Sequence, residues 1–407
     1  MVIIAIWGIL IVNLILTIAG YCYYLNWQRT PAPRLSAEVP FVSILVPAHN
    51  EGKVLQKTVS ALLEFDYPAQ RYELIVINDY SSDNSAAVLT RMQAAYQDRN
   101  FQVINTDAQT GGKGKSNALN IGLKRAKGTV ISVYDADNTP EAGALRYLVA
   151  TLIQDAALGA VIGKFRTRNR TATMLTRFIN IETLAYQWMV QAGRQQLLKL
   201  CTIPGTNYVI RRSVLDQIGG WDVNALAEDT EISFQVYRLG KRIAFQPWAV
   251  TWEQEPQTLD VWFHQRARWV KGNIYVILKN VNLLFHTDAK VIWFDLLYLV
   301  STYFLLMFSL VFSDIVFVLS VADAVHITLQ EDSGAIWLAA ILMFILSTFM
   351  AVTTEKGEMT LANLGIVSLM YFIYSQMWLA VAIYGMVGYT REQIFHQQAQ
   401  WYKTKRY

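Results

Sequence analysis

Apolar positions along this chain follow two different rhythms. Residues 2–27 form a run without a single charged side chain, and about 20 apolar residues are enough to span a bilayer as one helix. Three more long apolar stretches, 291–320, 336–352 and 361–387, occupy the last third. Between them the pattern changes. From 41 to 165, short runs rich in Val and Ile at 41–46, 73–77, 101–105, 129–134 and 158–162 read as strands. They alternate with helical spacing at 53–63, 84–97, 113–126 and 141–154. That order predicts an α/β domain with a mostly parallel, Rossmann-like sheet covered on both faces and inserted between transmembrane helices. In such a sheet, ligands sit beyond the carboxyl ends of the strands.

The first apolar run competes with a secretory signal peptide. It fits that description poorly: no basic residue precedes it, no small-x-small cleavage site follows, and it is too long. Arg29 and Arg34 come directly after it, so the positive-inside rule places the next segment in the cytosol. The expected organisation is a transmembrane helix at 1–27 and a cytosolic domain at 28–255. Amphipathic interfacial helices follow at 256–290, then a C-terminal membrane region of about three spans at 291–388 and a basic tail at 389–407. One conflict arises. The connection carrying Asp323, Glu331 and Asp332 suits an external loop, yet strict alternation then puts Arg391, Lys403, Lys405 and Arg406 outside. A re-entrant segment, a stretch split near Asp314 or a failure of the charge rule would each resolve it.

Composition narrows the partners. A hydrophobic share of 53% over 407 residues exceeds what a soluble domain needs, which agrees with the membrane reading. The net charge of +4 forms no basic block, so nucleic acid is a poor partner; scattered Lys and Arg suit lipid headgroups and phosphates better. Two distant cysteines, Cys22 and Cys201, give no disulfide framework, as in a reducing compartment.

Polar residues collect at the expected strand ends: His49, Asn50 and Glu51 after the first, Asp79 after the second, Asp135 to Asn138 after the fourth. Asp135 and Asp137 form an Asp-x-Asp, and paired carboxylates suit a hard divalent cation that also holds phosphate oxygens. A solvated turn before Thr139 and Pro140 would show the same letters. The run 111–116, Gly-Gly-Lys-Gly-Lys-Ser, is not a P-loop, because Gln109 stands where the first glycine is required. A glycine turn delivering Lys115 to a diphosphate remains open, as does a loop with a solvated lysine. Glu228 and Asp229 open a predicted helix at 230–239, where an acid serves either as a cap or as a general base. Finally, Leu259, Trp262, Phe263, Trp269, Val270, Ile274 and Ile277 recur at helical spacing, which predicts an amphipathic helix at a membrane surface. Gln265, Arg268 and Trp269 share one of its faces. Arginine offers a planar fork for a diphosphate and tryptophan a flat surface for a sugar ring.

Taken together, Asp79, Asp135-Ala136-Asp137, Glu228-Asp229 and Gln265-Arg266-Ala267-Arg268-Trp269 stand in the order found in the processive membrane glycosyltransferases of family 2, which this chain resembles. Cellulose, chitin, hyaluronan and poly-N-acetylglucosamine synthases belong to that group. The resemblance covers about residues 41 to 275 and also takes in the stretches 47–51 and 114–120. It implies a GT-A-type nucleotide-sugar-binding domain. It further implies that Asn50, Asp79, Lys115, Asp135, Asp137 and Arg268 bind the donor, with Mg²⁺ or Mn²⁺ on Asp135 and Asp137. Asp229 would be the catalytic base, with Gly205, Thr206, Asn207, Glu228, Gln265 and Trp269 toward the acceptor. Two departures stand out: Ala227 replaces the usual threonine before Glu-Asp, and the spans number about four, fewer than in cellulose or hyaluronan synthases. The second leaves room for a small membrane accessory subunit.

The reaction so implied is inverting transfer from a UDP-sugar to a growing β-linked exopolysaccharide at the bacterial cytoplasmic membrane. Size and the tail 401–406 favour UDP-N-acetylglucosamine over UDP-glucose. Single transfer to a lipid acceptor is the enzymatic alternative, and a transport or scaffold component with an inactive sugar-nucleotide domain is the non-enzymatic one. Intact carboxylates at every expected site argue against the last.

Overall fold

The computed structural model describes residues 2–36, 38–282, 290–301, 304, 319 and 332–395. The chain divides into two compact units. One holds Asn26–Arg170 and Leu198–Gln257; the other holds Met1–Leu25, Thr171–Leu197 and the helices that follow Thr258.

The first unit is built on an eight-stranded sheet: β1 (Val42–Ala48), β2 (Tyr72–Asn78), β3 (Phe101–Asn105), β4 (Val130–Val133), β5 (Thr139–Pro140), β6 (Leu158–Thr167), β7 (Tyr208–Arg211) and β8 (Arg242–Glu253). Their spatial order is β3-β2-β1-β4-β7-β6-β8-β5. β1 pairs in parallel with β2 and β4, and β2 with β3, as the alternating pattern predicts. Beyond β4 the sheet becomes mixed. β7 runs antiparallel to both neighbours, β6 and β8 pair in parallel, and β5 closes the edge antiparallel to β8. Every residue of β2 is buried, as a strand covered on both faces must be. Its Glu73 tolerates full burial because its carboxylate accepts from Ser43 Oγ at 2.6 Å, the Lys127 amide at 2.7 Å and Gln102 Nε2 at 3.1 Å. On the helix Leu55–Leu63, Leu55, Val59, Leu62 and Leu63 repeat at helical spacing and pack into the core with Val42, Ile44 and Val76.

Register aligns the carboxyl ends of the central strands. Ala48 of β1 stands opposite Asn78 of β2, and Val133 at the end of β4 stands opposite Tyr208. Because β7 is antiparallel, the segment just before it reaches the edge where β4 ends. Among the described residues, Asn50, Tyr80, Lys199 and Asn207 are the non-glycine positions with positive φ. Asn50, Tyr80 and Asn207 directly follow β1, follow β2 and precede β7, so strained backbone is concentrated on the edge that carries the polar motifs.

In the second unit, the part of the helix Val2–Arg29 that ends at Leu25 packs against a six-residue π-helical turn, Tyr186–Gln191. A Cβ on Gly20 would stand 2.1 Å from the Trp188 carbonyl, and one on Gly193 would stand 2.3 Å from the Leu16 carbonyl. Tyr24 meets the Trp188 ring edge-on at 5.0 Å, and Trp188 Nε1 donates to Glu355 Oε1 at 3.1 Å.

The expectation of four spans is only partly met among the described residues. One helix, Gly8–Arg29, is by itself long and apolar enough to cross a membrane. Leu361–Phe372 and Tyr374–Ile394 pass that test only together, bent by 42°. The expected span at 361–387 is thus a broken helix, whereas 336–352 lies within the helix Asp332–Thr353. Most of the stretch 291–320 and the tail 401–406 lie outside the described residues.

Candidate active site

Lys115 organises the carboxylates at the sheet edge. It opens the helix Lys115–Arg125 after Gly112 and Gly114, whose φ values of +71° and +95° bend the chain there as other residues rarely do. Its ammonium lies 2.7 Å from Asp135 Oδ1, 3.1 Å from Glu228 Oε1 and 2.8 Å from the Gly205 carbonyl. Three donors meet three acceptors. Burial alone would lower the Lys115 pKa, but Asp135, Glu228 and Asp229 outweigh it and hold the group above the ordinary lysine range. Lys115 is therefore a permanent cation and no proton acceptor.

Asp229 lies in the first turn of the helix Glu228–Arg238, with Ala227 at the cap position and no side-chain cap bond. Its Oδ1 accepts from the Thr230 amide at 2.7 Å. Gly205 presses on the same carboxylate: a Cβ there would stand 2.8 Å from Asp229 Oδ2 and 3.3 Å from Lys115 Nζ, at a φ of +85°. Gly205→Ala is expected to lower both stability and turnover, the latter by about a hundredfold, the effect of a 1 Å misplacement. Gly219→Ala is the control, having φ +89° with nothing within 4 Å. It should lose stability but keep turnover, as thermal unfolding and nucleotide release would show.

Thr206 and Asn207 tie the segment before β7 to the Asp-x-Asp turn and to the sheet. Thr206 Oγ1 accepts from the Asp135 amide at 3.0 Å and donates to Asn138 Oδ1 at 2.6 Å, pinning the Asp-x-Asp turn. Asn207 is fully buried. Its Oδ1 accepts from Tyr134 at 2.9 Å, and its Nδ2 donates to the Lys164 and Ala249 carbonyls at 3.0 and 2.9 Å. Both hydrogens of its amide are thereby used within the protein. Asn50 is likewise a loop organiser: its Oδ1 accepts from the Ser82 and Asp83 amides at 2.6 and 3.1 Å. Asp79 uses Oδ1 to hold Gly112 N at 2.9 Å and Thr106 Oγ1 at 3.1 Å, so it fixes the glycine turn that presents Lys115.

Asp135 and Asp137 can hold a divalent cation only in part. Asp135 is a third exposed and paired with Lys115, whereas Asp137 is buried with its Oδ1 3.4 Å from Asn138 Nδ2. Among the described residues no group of three or more His, Cys, Asp or Glu side chains has the geometry to hold a metal ion. Two carboxylates fit an ion that arrives with phosphate oxygens, since Mg²⁺ sites commonly combine one or two carboxylates with substrate phosphates.

Gln265, Arg268 and Trp269 belong to the second unit, on the helix Leu259–Asn280. Gln265 is buried, Arg268 half-buried, and Trp269 exposed. Two participants escaped the sequence reading. Arg266 is buried beneath Trp269, its guanidinium 3.8 Å from the ring centroid. Glu182 pairs with it at 3.0 Å. A lone acid in the otherwise uncharged stretch 178–185, and an arginine three residues before a motif tryptophan, were the available signals.

Residues 40–272, more than half of the chain, match the model described as "Glycosyltransferase like family 2", and the chain belongs to that family. It is accordingly a glycosyltransferase, with a GT-A-like fold. It is 44% identical over 404 residues to "Probable glycosyltransferase YdaM" of Bacillus subtilis strain 168, covering 99% of this chain and 96% of that one. Identity to the poly-beta-1,6-N-acetyl-D-glucosamine synthase of Staphylococcus epidermidis is 29% over 269 residues, 65% of this chain and 63% of the synthase. Among solved structures it is similar to the mannosyltransferase PcManGT of Pyrobaculum calidifontis in complex with GDP-Man and Mn²⁺. The TM-score is 0.66 at 19% identity, over 97% of this chain and 100% of that one. Identity that low supports the fold alone.

Proposed function

We propose that this enzyme is an inverting synthase that extends a β-linked exopolysaccharide from UDP-N-acetylglucosamine at the cytosolic face of a bacterial membrane. The observation that carries it is the cluster of Lys115, Asp135, Glu228 and Asp229 on one sheet edge, in a chain whose sequence relatives include a poly-N-acetylglucosamine synthase. The helix Gly8–Arg29 anchors the chain, and the basic residues after it face the cytosol.

In this mechanism Asp229 removes the proton from the acceptor hydroxyl, whose oxygen attacks the anomeric carbon from the face opposite the nucleotide. The bond to the diphosphate breaks and the nucleotide leaves with both bonding electrons. Lys115 exchanges its protein acceptors for diphosphate oxygens and so offsets the charge that develops on the leaving group. Asp135 and Asp137 would hold a divalent metal, which when bound would supply further neutralisation of that charge. Trp269 and Gln265 serve the acceptor.

Incubating the full chain in membranes with UDP-N-acetylglucosamine, UDP-glucose or GDP-mannose, with Mg²⁺ or Mn²⁺, tests the reading. UDP-N-acetylglucosamine should give UDP and a ladder of β-linked oligomers. One sugar on a lipid would replace processive with single transfer, and a preference for another donor would overturn the substrate assignment.

A further inference from the structure

The exposed tryptophan of the Gln-x-x-Arg-Trp motif rests on a buried cation. Arg266 is 1% exposed, yet Trp269, whose ring covers its guanidinium, is 38% exposed. On its other contacts the guanidinium lies 5.7 Å from the Trp378 centroid and donates to Gln265 Oε1 at 3.3 Å. Glu182 holds it in turn through Oε2 at 3.0 Å. That carboxylate is fixed by Tyr374, which donates to Oε2 at 2.8 Å, and by Trp378 Nε1, which donates to Oε1 at 2.6 Å. Trp262 Nε1 completes the chain by donating to the Tyr374 oxygen at 3.1 Å. Charge balance alone would be served by a lysine. A lysine lacks the planar fork that can stack on an indole while bonding both a carboxylate and a carboxamide.

We propose that Arg266, held by Glu182, is a positioning residue that sets the plane of Trp269 and the rotamer of Gln265, leaving the open indole face ready for a pyranose ring. This rests on the reading of Trp269 as an acceptor platform. An aromatic whose plane is fixed before binding loses less freedom when the sugar arrives, so the support acts on acceptor affinity and leaves nucleotide binding alone.

Two measurements on the full chain in nanodiscs test it. In the first, tryptophans are replaced by 5-fluorotryptophan and the Trp269 resonance is assigned by its loss in Trp269→Phe. Arg266→Lys and Glu182→Gln should both move that resonance, while those of Trp221 and Trp252 stay in place. An unmoved Trp269 resonance overturns the positioning role. In the second, a β-1,6-linked N-acetylglucosamine oligomer is titrated as acceptor with UDP-N-acetylglucosamine as donor. Arg266→Lys should raise the acceptor KM about tenfold, the scale of one desolvated cation–π contact, with UDP affinity changed less than about twofold. Added to Trp269→Ala, it should change KM by less than about twofold further, because the support has nothing left to support. An undiminished effect in that background means that Arg266 acts elsewhere and overturns the inference. A moved Trp269 resonance with an unchanged KM in Trp269→Ala instead sinks the acceptor reading, and the functional half of the inference with it.

Discussion

Asp229→Asn should abolish most turnover while leaving nucleotide binding intact. The substitution keeps size and most hydrogen bonding but removes the proton acceptor, so the expected fall is about 10²–10⁴-fold. A carboxylate in the first turn of a helix has a blander use as a terminal cap, and asparagine caps nearly as well as aspartate. The two uses therefore predict opposite outcomes. Here Ala227 holds the cap position, whereas Asp229 sits against Gly205 beside Lys115. Initial UDP release at saturating donor, paired with a UDP-binding measurement, separates them. A variant keeping more than about a tenth of wild-type turnover lies outside the range for loss of a general base, and Asp229 leaves the mechanism.

Asp135→Ala and Asp137→Ala should each erase the gain in UDP affinity that Mg²⁺ or Mn²⁺ confers, by about tenfold to a hundredfold, the worth of one contact to a charged group. Calorimetric titration of UDP with and without metal reads this directly. Wild-type protein titrated with metal alone should bind weakly, because the described residues present two carboxylates and no third ligand. The protein should remain folded in Asp135→Ala, whose side chain is a third exposed at the end of β4. Unchanged metal-dependent affinity in both variants would remove the metal from the site.

The parallel half of the sheet was legible because buried strands such as β2 carry a short continuous apolar run, here Leu74 to Ile77, bounded by turn residues. β8 was missed for a physical reason. Pro247 interrupts it, and the pairing of β6 shifts between Gly163 and Lys164 to skip from Gln246 to Val250, a bulge that hides the strand from a period-two pattern. β7 has only four residues and gains its place from β4 and β6, not from its own composition. At the site, the carboxylates could be read because they end apolar strands. Their partner could not. Lys115 meets Glu228 and Gly205 across about a hundred residues of chain, and no spacing rule reaches that far. The burial of Asn207 was not legible either, because a motif letter does not reveal it: its side chain faces Tyr134, Lys164 and Ala249.

A membrane anchor is often treated as an exchangeable part, something to trim for solubility or swap for another apolar helix. The reciprocal fit of Gly20 on the Trp188 carbonyl and Gly193 on the Leu16 carbonyl makes that impossible here. Backbone touches backbone on both sides, a contact only small residues permit. A grafted helix with leucine at position 20 would be pushed away from the π-helical turn. A chain shorn of its first helix would expose that turn to solvent or lipid. The first helix of this enzyme, long and apolar enough to cross a membrane, is one half of a joint, and any engineered version must carry both halves.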